Sequence, residues 1–458
     1  MNIKDCVSFD ESLSKVKAVQ PKLNAVVTFI EEDTNEASGK LAGVPVALKD
    51  NISTKSIRTT ASSRILDNYV PVYDATIVKK LHEAGAKFVC KASMDELGMG
   101  GTNKNAYTGE VHNPYNLERI PGGSSGGCAA LVASGCVPLA IGSDTGDSVR
   151  KPAAYCGVVG VKPTYGRISR YGIIPYASSL DHVGYFTTNV HDAALALEVL
   201  AGRDDHDMTS SYLPVDAYSE VLNADVNGKT IGILKTVLDE VSSEEFKAQF
   251  NELVEKLKEK GATIKEVEMP RDYMELIAPV YKTIANAEAT ANHSNLDGIR
   301  FGMREDGASV EEVMTNSRTK GFSSYVRARF VIGSYSLFEE NQDRLFRKAQ
   351  KIRRLIVDAY AKLFEDCDGI LTVAAPTIAP LIHESQDVRF GLSSFAEEHM
   401  QLGNFSGYPS ITLPLGKVEN MPVGVNLTCK PFEEQKMFDL AQAIENCTGL
   451  ANQCVEVE

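Results

Sequence analysis

Gly122-Gly123-Ser124-Ser125-Gly126-Gly127, followed by Gly142-Ser143-Asp144-Thr145-Gly146-Asp147-Ser148, sets two serines in glycine-rich surroundings, and a lysine lies upstream in Val46-Ala47-Leu48-Lys49-Asp50-Asn51. Serine is a poor nucleophile until a base takes its proton. Glycine beside a serine lets the backbone approach a substrate closely and aim amide donors at it. The base need not be histidine: a lysine buried away from water has its charged form disfavoured, and its neutral amine can accept a proton. The joint pattern predicts an acyl-transfer site built from Lys49, Ser124 and Ser148. Simpler readings stand beside it. Each serine alone can be a loop residue satisfying backbone groups, and Lys49 can be a surface lysine paired with Asp50. A phosphate loop fits less well, because the run lacks a Gly-Lys-Ser/Thr ending. A Gly-x-Ser-x-Gly elbow with a downstream histidine does not fit either.

Residues 122–179 are dense in Gly, Ser and Pro yet also apolar, as in Val158-Val159-Gly160-Val161. That composition predicts tightly turned backbone held in a core. Outward from it, strand and helix signals alternate. Residues 74–84 read as a helix capped by Asp74, with Ile77, Val78 and Leu81 on one face and a stop at Gly85. Residues 86–90 follow as a short strand. A second unit runs from a strand at 230–234 into a helix at 243–260, where Phe246, Phe250, Leu253, Val254 and Leu257 form a 3.6-period stripe. Gly261 ends that helix and a strand resumes at 262–267. Strands are expected at 369–373, 410–414 and 423–427, and a helix at 433–445. Residues 283–354 read as helical and charged, able to cap a site. This alternation implies an α/β fold with a sheet covered on both faces.

The chain has 458 residues, 43% hydrophobic and 24% charged, with a net charge of −14. The acidic balance argues against this chain alone gripping a nucleic-acid backbone, which calls for basic patches. The nine cysteines are odd in number, irregularly spaced and free of any Cys-x-x-Cys. They predict reduced thiols in a reducing compartment, with neither a disulfide framework nor a zinc site. The eight histidines form no His-Glu-x-x-His, so no metal site is expected. No apolar run approaches a membrane span, and Met1 to Cys6 carries no signal-peptide core.

The three motifs together resemble the amidase signature family. The match runs through Gly43-Val44-Pro45-Val46-Ala47-Leu48-Lys49-Asp50-Asn51, Gly122 to Ala129, and Asp144 to Ala153. It extends over nearly the whole chain, from about Leu23 to Glu445. Within that family, Asn113-Pro114-Tyr115, the block Cys156 to Arg167 and Ser178-Ser179-Leu180-Asp181 resemble the A subunits of glutamyl-tRNA(Gln) amidotransferases. Fatty-acid amide hydrolases share the first motifs but are less similar through this block. The resemblance implies one large amidase-type domain spanning residues 1–458, with a mixed sheet and a helical, substrate-covering region at about 280–400. It implies Ser148 as nucleophile, Ser124 as a bridging serine after a cis Gly123–Ser124 peptide, and Lys49 as general base. Backbone amides of Thr145, Gly146 and Asp147, continuing to Ser148, would form the oxyanion hole. The substrate would be glutamine, with Arg329 at its carboxylate, Glu397 at its ammonium and Tyr281 in contact with it.

The same resemblance implies partners: a B-type amidotransferase subunit, which would use ATP and Mg²⁺ and hold most of the tRNA contact, and a small accessory subunit. No cofactor is expected in this chain. The N-terminal region is about 30 residues shorter than in bacterial A subunits, and Glu339 to Asp343 replaces a tyrosine-rich segment; both fit a diverged organellar form. The mitochondrial matrix and the bacterial cytoplasm are therefore the expected settings. Asp147 departs from the glycine usual in the family, and Cys128 from a frequent serine. A buried, ionised Asp147 would oppose the oxyanion or keep Lys49 protonated, whereas an outward one would leave the backbone donor intact. Two other functions follow from the same residues: a free-standing amidase for another amide, and a scaffold subunit whose site Asp147 has disabled. Cys128 is expected to serve packing.

Overall fold

A computed structural model describes residues 2–36, 38–385 and 394–457 of the chain. Its frame is one mixed sheet of eleven strands: β1 (Val26–Phe29), β2 (Pro45–Lys49), β3 (Lys87–Ala92), β4 (Leu139–Asp144), β5 (Val159–Lys162), β6 (His182–Thr187), β7 (Thr230–Leu234), β8 (Thr263–Val267), β9 (Gly369–Val373), β10 (Ser410–Val418) and β11 (Met421–Thr428). Their order across the sheet is β1-β3-β2-β4-β6-β5-β10-β11-β9-β7-β8. The β3-β2-β4 and β9-β7-β8 groups are parallel. The strands between them, and the β1 edge, pair antiparallel.

Strand β2 lies between two parallel neighbours and all five of its residues are buried, which is why it reads as a continuous apolar run. Alternate side chains point to opposite faces. Val46 and Leu48 join one apolar cluster with Leu139 and Ile141 of β4, while Ala47 and Ala140 join another on the opposite face. The helix Gly126–Ala133 belongs to that second cluster. It is buried over its whole length, consistent with its being apolar all round. The register pairs Leu48 with Ile141, so Lys49 and the segment after Ser143 leave the sheet at the same edge. Carboxyl ends of parallel strands are where α/β sheets bind ligands.

The second βαβ unit follows its sequence closely. The helix Glu244–Glu259 is capped by Ser243, whose hydroxyl accepts from the Phe246 amide, and buries all five stripe residues. The first helix corrects the expectation at its start. It spans Thr76–Glu83 with Ala75 at the cap position and no side-chain capping bond. Asp74 instead accepts a hydrogen bond from the Lys55 amide at 2.7 Å, a loop-to-loop contact that the local pattern does not encode. The C-terminal helix covers Glu434–Thr448. Between residues 270 and 363 the chain is helical, in Arg271–Asn292, Val310–Gly321, Ser324–Leu337 and Phe346–Lys362. β9 then returns it to the sheet between β11 and β7, so the 280–400 region supplies a core strand as well as covering helices; its residues 386–393 lie outside the described ones. Among the described residues no helix is long and apolar enough to cross a membrane.

Candidate active site

Lys49 ends β2 fully buried. Its Nζ stands 2.8 Å from Ser124 Oγ, 2.8 Å from Ser125 Oγ and 2.9 Å from Ser143 Oγ, with the Ser143 carbonyl at 3.2 Å. Asp50, the alternative partner, points elsewhere. Its carboxylate accepts from the amides of Thr60 and Ser62 at 3.1 and 3.2 Å and from the Thr60 hydroxyl. Burial lowers the Lys49 pKa to about 8, against opposing pulls from Cys128, Asp95, Asp144 and Asp181. Lys91 is equally buried and is also lowered to about 8 by burial. It donates, however, to the Ile52 carbonyl and the Thr54 and Thr59 hydroxyls. The serine partners of Lys49, and not its burial, separate the two lysines.

The Ser124 turn is placed by close backbone approach. The Gly123–Ser124 peptide is cis. A Cβ on Gly123 would lie 2.0 Å from an Asp95 carboxylate oxygen and 2.8 Å from the amides of Thr102 and Asn103, so no larger residue fits there. The Asp95 amide donates to the Ser124 carbonyl at 3.2 Å, and the Ser125 amide to the Ser148 carbonyl at 3.2 Å. The second contact sets the two serine segments side by side. Cys128, one turn into the helix after Ser125, is buried and its Sγ lies 3.4 Å from the Ile141 carbonyl. Burial pushes its thiol up to about 12, as suits a packing residue.

The loop from Thr145 to Ser148 is shaped from behind. Asp144 accepts from the Val149 amide at 2.9 Å, from Arg150 at 2.9 and 3.1 Å and from Asn404 at 2.9 Å. Burial alone would raise the Asp144 carboxyl, but the Arg150 guanidinium outweighs it and holds it well below the usual carboxylate range. Arg150 also donates to the Gly146 carbonyl at 2.8 Å, and Thr145 Oγ1 to Asp181 at 2.6 Å. Among the described residues, the amides of Gly146, Asp147 and Ser148 donate none of the hydrogen bonds that fix this loop.

A cavity of about 560 Å³ opens beside this loop, lined by Gly146 and Asp147 together with Tyr281, Arg329 and Glu397. Its size is that of a small-molecule site. Three helices, far apart in sequence, thus bring the expected substrate residues to one place. The Tyr281 ring covers Gly146 so closely that a Cβ there would meet its hydroxyl at 3.0 Å. Arg329 donates to the Tyr176 hydroxyl at 2.9 Å and to the Tyr325 hydroxyl, and its guanidinium lies over the Tyr325 ring. Glu397 lines the same cavity, its carboxylate 3.8 Å from Lys151 Nζ.

Asp147 takes the buried one of its two expected positions, with a cation beside it that the expectation did not include. Its side chain is only 14% exposed and its carboxylate lies 2.6 Å from Lys151 Nζ. Burial raises its pKa while the Lys151 ammonium opposes that rise. The charge that sequence reasoning set against Lys49 is taken up inside the cavity by a cation four residues on. Lys151, Ser125, Ser143 and Tyr176 are the contributors that sequence reasoning did not single out. Ser125 and Ser143 stood inside the glycine-rich motifs, but nothing local tells which hydroxyls in such a run face the lysine. A second cavity of about 260 Å³ reaches Ser143, Thr145 and Asp181 and shares Tyr176 with the first. Among the described residues no group of three or more His, Cys, Asp or Glu is placed to hold a metal ion.

Comparison with known proteins places this geometry in a wider context. Residues 8–438 match the amidase family. The A subunit of the Lactobacillus acidophilus glutamyl-tRNA(Gln) amidotransferase is 40% identical over 442 residues, covering 95% of this chain and 91% of that protein. Its namesake from Fusobacterium nucleatum is 41% identical over 453 residues, covering 98% and 91%. Among solved structures, the A subunit of the Thermotoga maritima glutamyl-tRNA(Gln) amidotransferase superimposes with a TM-score of 0.85 at 37% identity, covering 100% of this chain and 98% of that one. The native peptide amidase of Stenotrophomonas maltophilia superimposes with a TM-score of 0.82 at 27% identity, covering 97% and 94%.

Proposed function

The chain belongs to the amidase family, and from that premise we propose that it is the glutamine-hydrolysing A subunit of a glutamyl-tRNA(Gln) amidotransferase. The observation that carries the chemistry is the buried Lys49 amine 2.8 Å from Ser124 Oγ, on a turn bonded to the Ser148 segment. The likeness to A subunits across nearly the whole chain carries the substrate. Glutamine enters the larger cavity with its carboxylate on Arg329, its ammonium on Glu397 and its chain against Tyr281. Neutral Lys49 takes the Ser124 proton as Ser124 takes that of Ser148, and Ser148 Oγ attacks the side-chain amide carbon. The amides of Thr145 to Ser148 receive the oxyanion. The relay then runs backwards, protonating the leaving nitrogen as ammonia departs and leaving a glutamyl ester on Ser148, which water hydrolyses by the same relay.

Ammonia leaves through the smaller cavity, whose lining includes Ser143, a hydroxyl partner of Lys49. It passes to a B-type partner that uses ATP and Mg²⁺ and holds the tRNA, with a small accessory protein completing the complex. The net charge of −14 suits a chain that leaves tRNA contact to its partner. The relatives named above are bacterial proteins, which favours a bacterial cytoplasm over the mitochondrial matrix. The Asp147–Lys151 pair favours an active site over a disabled scaffold. The test is Ser148→Ala in the reconstituted complex. Glutamine-driven amidation of Glu-tRNA(Gln) should vanish while ammonium-driven amidation persists; retention of the glutamine-driven rate would overturn the assignment. Robust turnover of simple amides by the isolated chain would instead favour a free-standing amidase.

A further inference from the structure

Lys151 has no part in the relay just described, yet its ammonium pairs with a side chain of the loop that receives the oxyanion. Its Nζ lies 2.6 Å from the Asp147 carboxylate and 3.8 Å from that of Glu397, and donates to the Glu397 carbonyl at 2.8 Å. Its amide donates to the Asp147 carbonyl at 2.9 Å, the first turn of the helix Arg150–Cys156. Lysine and aspartate are one turn apart and lie against the same cavity. The lysine side chain is 12% exposed, so water does little to screen the pair.

Beside the Lys151 ammonium, the charges that act most strongly on the Asp147 carboxylate are anionic, while Arg150 donates to the neighbouring Gly146 carbonyl and Arg329 lines the same cavity. Asp144 faces it from the end of β4, Glu398 from the helix Phe395–Glu398, Tyr155 from the helix Arg150–Cys156 and Tyr281 from the helix Arg271–Asn292. Glu397 adds its charge through Lys151. A carboxylate in that company, on a residue whose own amide faces the substrate oxygen, would oppose any negative charge forming there.

We propose that Lys151 is a positioning residue for the reaction: anchored on the Glu397 carbonyl, its ammonium holds the Asp147 carboxylate and so keeps a negative charge away from the oxyanion formed by Ser148. Asp147 and Lys151 are then a matched pair, each tolerable only with the other. Burial alone would lower the pKa of the Lys151 ammonium, but Asp147 and Glu397 outweigh it and raise that pKa, so the lysine stays charged throughout the working range of pH.

The proposal rests on Ser148 as the nucleophile, and the experiment separates the two. Glutamine hydrolysis by the full complex is measured for Lys151→Met, Lys151→Arg and the double variant Asp147→Asn/Lys151→Met, from pH 6 to pH 9. Lys151→Met should lower kcat by roughly 10², the scale of one lost oxyanion donor, with a smaller change in KM. Lys151→Arg should retain kcat within a few fold, and the double variant should recover at least tenfold over Lys151→Met. A double variant no faster than the single one overturns the proposal and leaves Lys151 a packing residue. If Lys151→Met does not fold, Lys151→Gln with and without Asp147→Asn repeats the comparison. Hydrolysis that survives Ser148→Ala overturns the underlying mechanism instead.

Discussion

Lys49→Arg, read together with the pH dependence of the unaltered enzyme, probes the heart of the relay. The wild-type amine titrates at about 8 because burial disfavours its charged form. The sign follows directly: acid charges the amine and removes the base, so activity is lost as pH falls through the folded pKa and present above it. With a pKa of about 8, roughly one-tenth of the amine is neutral at pH 7 and roughly nine-tenths at pH 9, so kcat should rise about tenfold across that interval. Arginine keeps its proton at any working pH. Lys49→Arg should therefore lower kcat by roughly 10³ and abolish the basic limb, since a positioned general base is worth about 10²–10⁴. The assay is ammonia release from saturating glutamine by the full complex, with thermal melting to show that the variant is folded. Because Lys91 shares the same pKa, the limb alone does not identify the lysine, and the substitution does. A wild-type rate flat between pH 7 and pH 9, or a limb that persists in Lys49→Arg, would refute the reasoning.

The remaining predictions test the groups around this lysine. Ser143→Ala removes one of the hydroxyls bonded to Lys49 and should lower kcat by about three- to tenfold, the value of one net hydrogen bond; an unchanged kcat would show that Ser143 does not orient the amine. Arg150→Met leaves the buried Asp144 carboxylate without its cation, and urea unfolding should show a loss of about 3–5 kcal/mol; a loss below about 1 kcal/mol contradicts the role of that pair. Arg329→Ala should raise the KM for glutamine by roughly 10² or more with a smaller effect on kcat, since an unmatched substrate carboxylate costs about 2–4 kcal/mol in a buried site. An unchanged KM would move carboxylate recognition elsewhere in the cavity.

Several elements were legible because local chemistry fixed them. The stripe from Phe246 to Leu257 is buried as its period required, and Ser243 and Gly261 mark its ends in the structure. Strands β7 and β9 fall at the residues expected of them. Asp74 failed as a cap because a distant amide, that of Lys55, competes for its carboxylate, and spacing along the chain carries no information about such a rival. β4 and β6 went unassigned because glycine, serine and histidine dilute their apolar pattern, although both are fully buried by their neighbours in the sheet.

The sequence by itself determined the chemical vocabulary of the site. Glycines that admit close backbone approach, serines on tight turns and a lysine at the end of an apolar strand are properties of residue type and order, and they narrow the reaction to acyl transfer without histidine. The tertiary structure decided which groups meet. It separated Lys49 from the equally buried Lys91 by giving only the former serine partners, gathered Tyr281, Arg329 and Glu397 onto one cavity, and turned Asp147 from a threat to the base into half of an ion pair with Lys151. Electrostatic influence depends on distance and burial in space, and neither quantity is written in the order of residues.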